Sequence, residues 1–522
     1  MNSNDLTNAS NGLSEKSPLN VVWFKRDLRA YDHAPLVKAS EQGKTLCLYV
    51  IEPRYWQLAD TSNRQWLFVR ESLVDLQQQL KALGGNLVVR IGDMTEVLSQ
   101  LLAEFDHFNL FSHEETGNLW TFERDLAVKA WCQSHQVSWQ EYAQNGVKRP
   151  LHRRQSNFKP LWDKWVKTPL LEEPEQITFA HTLANLPTEQ WPESVCDDPY
   201  PCRYRQTGGR AKGIAIIESF LGHRGRWYRG SVSSPLTAEE GCSRLSAHLA
   251  YGCVSLKEVT QAVFQAKQMY QDDGQWQRSL SAFYSRLWWH CYFTQALECF
   301  PQMENRCVVS EMAELKRPFD AQRLAAWQQG RTGWPLVDAC MRYLHKHGWV
   351  NFRMRAMLVS VATYSLSLPW KPVADWLAHL FVDYEPGIHY PQIQMQSGTS
   401  SMSIVRVYNP VSQAQRLDAK GEFVRRWVPE LRGVSDTWIF EPWRMPDHLW
   451  PQGQPSYPKP LVDFEQAHRE AKKDITRIRE KYGLVSKSAE KRRAQDSRKQ
   501  KATRLSRKRQ VAKQAGQMSL FD

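Results

Sequence analysis

The chain has 522 residues, 42% hydrophobic and 24% charged, which is ordinary globular composition with room for two or three cored domains. No run approaches the roughly 18 unbroken apolar residues of a membrane span, the polar start has no secretory apolar stretch, and the ten cysteines form no C-x-x-C pair. A net charge of +13 is concentrated between Ser486 and Gly516, where twelve Lys/Arg face two Asp/Glu; that local +10 leaves only +3 for the rest.

These features predict a cytoplasmic protein with reduced thiols, not a disulfide scaffold or membrane protein. The 22 tryptophans fit either dense helix packing or a protein that handles aromatic ligands, stacked bases or electrons.

Residues 1–18 read as a disordered N-terminus. From 19 to 148, short apolar runs alternate with helical patterns. Val21–Phe24, Leu46–Val50, Leu87–Val89, Leu110–Phe111 and Val137–Tyr142 read as strands. Arg64–Leu83, Met94–Glu104 and Trp120–Gln133 read as helices between them. Such alternation predicts an α/β domain with a doubly wound parallel sheet, whose ligands lie at the carboxyl ends of the strands. No G-x-G-x-x-G follows the first strand, so a Rossmann fingerprint is absent.

Residues 149–206 are proline-rich and read as an interdomain connector partly wrapped on the surface. Residues 207–460 carry helical periodicity almost throughout and predict an all-α domain. A charged helix within 461–484 leads into a disordered basic tail, 485–522, of the kind that serves as a nucleic-acid arm or as a solubility tail.

Four segments in order resemble the photolyase/cryptochrome superfamily, across roughly residues 20–435. They are VVWFKRDLRAYDHAPL (Val21–Leu36), CSRLSAHLAYGCVS (Cys242–Ser255), GRTGWPLVDACMRYLHKHGWVNFRMR (Gly330–Arg355) and NPVSQAQRLDAKGEFVRRWVPEL (Asn409–Leu431). The resemblance implies FAD as cofactor, held in the helical domain. Ser243, Arg244, Leu245 and Ser246 would meet its phosphates at a helix start, where hydroxyls and free N–H groups also serve simple N-capping. Tyr228, His290 and Trp349 would pack the folded cofactor. Arg355 and Asp383 match an ion pair over the flavin ring, and Glu385 stands where the family has Asp.

Several positions depart from the family. His389 occupies the place facing flavin N5, and a free imidazole titrates near neutrality. Of the three tryptophans that relay electrons in the family, Trp370 matches the middle one. Ile393 and Arg317 replace its neighbours, so a path through Trp376 or Tyr390 is the alternative. At the DNA-facing side, Trp289 matches a stacking position, Arg286 replaces a Glu, and Met395 replaces a second stacking Trp. The loop His113–Asn118 is placed to hold a second, antenna chromophore of unknown identity, or merely to cap the next helix through Thr116 or Asn118.

The resemblance implies a carbon–carbon lyase that repairs pyrimidine dimers in DNA by light-driven electron transfer. The alternative is a blue-light receptor without repair activity, and a monomer is expected in both cases. The chain ends in Gln517-Met518-Ser519-Leu520-Phe521-Asp522. This resembles the bacterial clamp-binding pentapeptide, with Gln517 as polar anchor and Leu520 and Phe521 as apolar ones, and implies the β sliding clamp as a partner.

Overall fold

The computed structural model describes residues 19–149, 158–182, 184–198, 200–400, 407–453 and 455–484. The polar N-terminus and the basic tail with its QMSLF segment lie outside them.

Five parallel strands form one sheet: β1 (Leu19–Phe24), β2 (Thr45–Ile51), β3 (Leu87–Ile91), β4 (Phe108–His113) and β5 (Trp139–Tyr142), in the order β3-β2-β1-β4-β5. The sheet is covered on both faces, which explains the unbroken apolar runs. Along β1 and β2, Val22, Phe24, Cys47 and Tyr49 enter one core, while Val21, Trp23, Leu46 and Leu48 enter the other. The doubly wound α/β domain is therefore as expected.

The connector is less superficial than its prolines suggest. It forms a helix at Phe158–Trp165, and its backbone N–H groups at Ile177, Ala180 and Leu186 donate to Leu83, Thr45 and Val89. Trp162, Ile177 and Trp191 are buried within it.

The region after Gly209 is helical, and its core is continuous from Ile217 to Met445. The closing helix, Phe464–Lys481, sets Ile475 and Ile478 against Tyr364 and Met312. Much of the tryptophan excess is packing: Trp23, Trp66, Trp162, Trp191, Trp327 and Trp334 are fully buried. All ten cysteines are free thiols.

The loop after β1 binds the two domains together. Arg26 Nε donates to Ala250 O at 2.9 Å and its Nη2 to Tyr384 O; Arg29 Nη1 donates to Gly252 O at 2.9 Å. A third guanidinium, Arg64, pairs with Asp198 at 2.9 Å and donates to His345 O and Leu380 O. Gly252 has φ +62°, and a Cβ there would lie 2.4 Å from Arg26 O and 2.5 Å from Asp27 Cα. Gly252→Ala combines left-handed backbone strain with this overlap, so a loss of about 2–4 kcal/mol is expected. Urea unfolding measures it; an unchanged midpoint would show that the domains are not held at this turn.

Candidate functional site

The helical domain encloses a cavity of about 290 Å³. Helical spacing supplies its walls. Phe283, Arg286, Leu287, His290 and Phe293 project from Gly274–Cys299; Phe352, Arg355, Ala356 and Val359 project from Phe352–Ser360. From Pro386–Ser397 come Ile388, His389, Gln392, Ile393 and Gln396. All three sets follow the three-to-four-residue step of one helix face.

The fourth wall is a short turn. Arg244 takes a left-handed φ of 62°, redirecting the chain into a helix at Ser246–Ala250, one residue from the expected start. Ser243, Arg244 and Ser246 line the cavity, whereas Leu245 turns into the core and is buried. The Arg244 guanidinium lies 3.9 Å from the centre of the Trp349 ring, also in the lining.

Arg355 Nη2 and Asp383 Oδ2 pair at 2.7 Å, and Arg355 Nε donates to Val350 O at 2.7 Å. Glu385 begins the Pro386–Ser397 helix as its N-cap residue, with Arg26 at 3.9 Å. Burial pushes the Glu385 carboxyl up to about 7, against the opposing attraction of Arg26. Tyr228 lines the wall beside Arg286, with its hydroxyl in hydrogen-bonding reach of that guanidinium.

Four buried polar atoms of lining residues have no protein partner: Arg244 Nη1, His290 Nδ1, Asp383 Oδ1 and Gln392 Oε1. Leaving such groups unmet is costly, so a ligand carrying both acceptors and donors fits this cavity. A pyrophosphate-linked flavin offers both. The residues present therefore fit FAD.

Residues 20–176 match the DNA photolyase family, and residues 283–477 match the FAD-binding domain of DNA photolyase. The chain belongs to the photolyase/cryptochrome superfamily. The deoxyribodipyrimidine photo-lyase of Alkalihalophilus pseudofirmus is 25% identical over 88% of this chain and 98% of that protein. Cryptochrome DASH of Gloeobacter violaceus is 27% identical over 86% and 93%. A solved archaeal photolyase from Sulfolobus tokodaii, which contains two FAD molecules, superposes with a TM-score of 0.72 at 23% identity, covering 88% of this chain and all of the other.

Within this superfamily scaffold, Tyr228, Ser243, Arg244, Ser246, Arg286 and Trp289 line one cavity with His290, Trp349, Arg355, Asp383, Glu385 and His389. Met395 and Trp370 do not line it. Met395 points off the face carrying Gln392, Ile393 and Gln396, and is half-buried. Trp370 begins the Trp370–Leu380 helix and lines a separate cleft with Arg317 and Cys307. Arg317, in the place of the third tryptophan, donates to Ser397 O at 2.8 Å. Trp376 packs against Tyr200 and His345, away from the cavity lining.

In the α/β domain, Asn118 caps the following helix by accepting from Thr121 N, while Thr116 Oγ1 donates to Glu298. His113 is held by Asp27 at 2.7 Å. A cleft of about 40 Å³ lies nearby at the strand ends, bounded by Trp23, Glu52, Tyr55 and Arg124. Arg26 and Asp60, both from the α/β domain, went unread in the sequence. Their contacts with Tyr384 cross more than three hundred residues, so no local pattern signals them.

The neutral titration expected for His389 is overturned. Burial lowers the imidazole to about 3, and its Nε2 lies 2.9 Å from Ala374 O. A carbonyl only accepts, so Nε2 carries the proton and Nδ1 is left as an acceptor. His290 is likewise lowered to about 4, first by burial and then by Arg26. Both histidines are neutral in the fold and protonate near 6.5 when unfolded. Their contribution to stability is full above pH 6.5 and is lost as pH falls toward 4 and 3, about 2 kcal/mol each by pH 5. Neither histidine should therefore give flavin absorbance or retention a step between about pH 6.5 and 9, and both should weaken it on the acid side; a step near pH 7 that Glu385→Gln removes belongs to the Glu385 carboxyl. A transition centred near pH 7 that disappears in His389→Asn would contradict this.

Proposed function

We propose that this flavoprotein repairs pyrimidine dimers in DNA by light-driven electron transfer. The observation that carries this reading is the continuity between the flavin-fitting cavity and an aromatic, cationic mouth. Trp289 and Phe352 are exposed there, and the Arg286 guanidinium lies 4.2 Å and 5.7 Å from their ring centres. Such a mouth can stack an unpaired base and attract the backbone that carries it. The relatives named deoxyribodipyrimidine photo-lyase support the same reading over nearly their whole length.

Bound FAD supplies the chromophore and, when reduced and excited, the electron. The chain's residues hold and isolate it. Arg244, Ser243 and Ser246 would meet the phosphates, Arg355 would keep positive charge beside the ring with Asp383 fixing its orientation, and His389 would offer a single acceptor. Gln392 and Gln396 add amides to the lining. Because Arg286 only donates, it suits the carbonyl oxygens of a flipped pyrimidine. A blue-light receptor without repair is the second reading, favoured by Arg286 and by Ile393 in the broken tryptophan relay. A second chromophore would sit at the strand ends of the α/β domain, as the two FAD molecules of the archaeal photolyase invite.

The deciding assay incubates holoprotein with dimer-containing oligonucleotide in blue light and in darkness. Restored thymines in light alone are expected, and none in either condition would leave the receptor reading. Arg286→Ala should weaken binding of the damaged strand about tenfold or more, the scale of a lost charge-assisted contact.

The basic tail adds non-specific DNA attraction, and its final QMSLF segment is proposed to bind the bacterial β sliding clamp. Calorimetry with purified clamp should show weak binding that vanishes when Leu520 and Phe521 are both changed to Ala. No heat up to roughly 100 μM clamp would retire this partner.

A further inference from the structure

Photoreduction of a bound flavin needs a donor close to it, and Ile393 cannot serve. Four oxidisable phenol and indole side chains line the cavity: Tyr228, Trp289, Trp349 and Tyr384. Three of them face a guanidinium. Arg244 lies 3.9 Å from the Trp349 ring, Arg286 lies 4.2 Å from the Trp289 ring, and Tyr228 meets Arg286. Removing an electron from a tryptophan creates a cation, which a neighbouring guanidinium opposes. For Tyr228, the neighbouring group is a donor and can take no proton.

Tyr384 differs. Its hydroxyl donates to the buried Asp60 Oδ2 at 2.6 Å. Tyr390 lies beside it, 3.2 Å away between hydroxyls and 3.3 Å from the same carboxylate oxygen. The other donor to Asp60 Oδ2 is the Asn118 amide, so that oxygen's hydrogen-bond donors among the described residues are all neutral. The His389 ring bridges both tyrosines, with centroids 5.3 Å from each.

We infer that Tyr384, with Asp60 as proton acceptor and Tyr390 as its neighbour, is the electron donor that reduces the bound flavin in light. One electron passes from the phenol to the excited, oxidised flavin, and the phenolic proton passes to Asp60. No cation is created among the arginines. The neutral Tyr384 radical exchanges with Tyr390 when the Tyr390 hydroxyl hydrogen atom passes to the Tyr384 oxygen, and a thiol reductant in solution supplies the electron that restores the phenol as the proton returns from Asp60. The inference rests on flavin binding and not on repair, so failure of the dimer assay leaves it standing.

The test uses holoprotein whose flavin content is first measured by absorbance. Under blue light with a thiol reductant, Tyr384→Phe should reduce its flavin about tenfold more slowly or worse, and Asp60→Asn should do the same although both rings remain. Wild type should slow in D₂O, whereas Tyr384→Phe should not. Samples frozen during illumination should give a neutral tyrosyl radical signal by electron paramagnetic resonance. Wild-type protein made with ring-deuterated tyrosine should narrow that signal, which keeps the test decisive if a variant fails to fold. A tryptophan radical in wild type, or unimpaired reduction in folded Tyr384→Phe, would overturn the assignment.

Discussion

The site depends on guanidinium groups that join the two domains, Arg26 above all. Arg26 reaches from the end of β1 to Ala250 O, Tyr384 O and Glu385. Ala250 closes the short helix that begins at Ser246, and Tyr384 and Glu385 follow directly on Asp383. Two cavity segments far apart in sequence are thus registered by a side chain belonging to neither. Five fixed N–H donors make arginine suited to this, since one rigid fork satisfies several carbonyls that would otherwise be buried unpaired. Gly252 allows the close approach, and Asp60 repeats the pattern by fixing the Tyr384 hydroxyl from the α/β side.

Burial then decides what the cavity's groups can do. His389 illustrates it: an imidazole that would switch charge near neutrality in water is locked neutral, with its tautomer chosen by Ala374 O. Glu385 is moved in the other sense, up to about 7, because the same low-dielectric surroundings penalise its anion. Residue type alone gives neither result. Each needs the packing around the group.

That distinction explains how much could be read from the chain itself. Strands were legible because a sheet covered on both faces leaves unbroken apolar runs, as in Leu46–Val50. The cavity's arginines, serines and Asp383 were legible because they lie in compact motifs. Helix phase was harder. Met395 is two residues from Ile393 and one from Gln396, yet only those two line the cavity, since neighbouring helical positions point about 100° apart. The connector misled for a similar reason: its prolines mark irregular backbone, not exposure, and Trp162 and Trp191 bury themselves all the same.

The cavity's charge pattern ties cofactor retention to redox chemistry. Arg244, Arg286 and Arg355 face it, while Asp383 is already paired with Arg355 and Glu385 is weakened as an anion by burial. The resulting positive field suits a pyrophosphate and a ring that gains negative charge. It acts against any neighbouring side chain that must become a cation, which includes both cavity tryptophans. A phenol escapes the conflict when its proton leaves with the electron, and Asp60, 2.6 Å from the Tyr384 hydroxyl, is placed to receive that proton. A cavity that holds an anionic cofactor with arginines therefore suits a donor coupled to proton loss once Ile393 stands in the tryptophan's place.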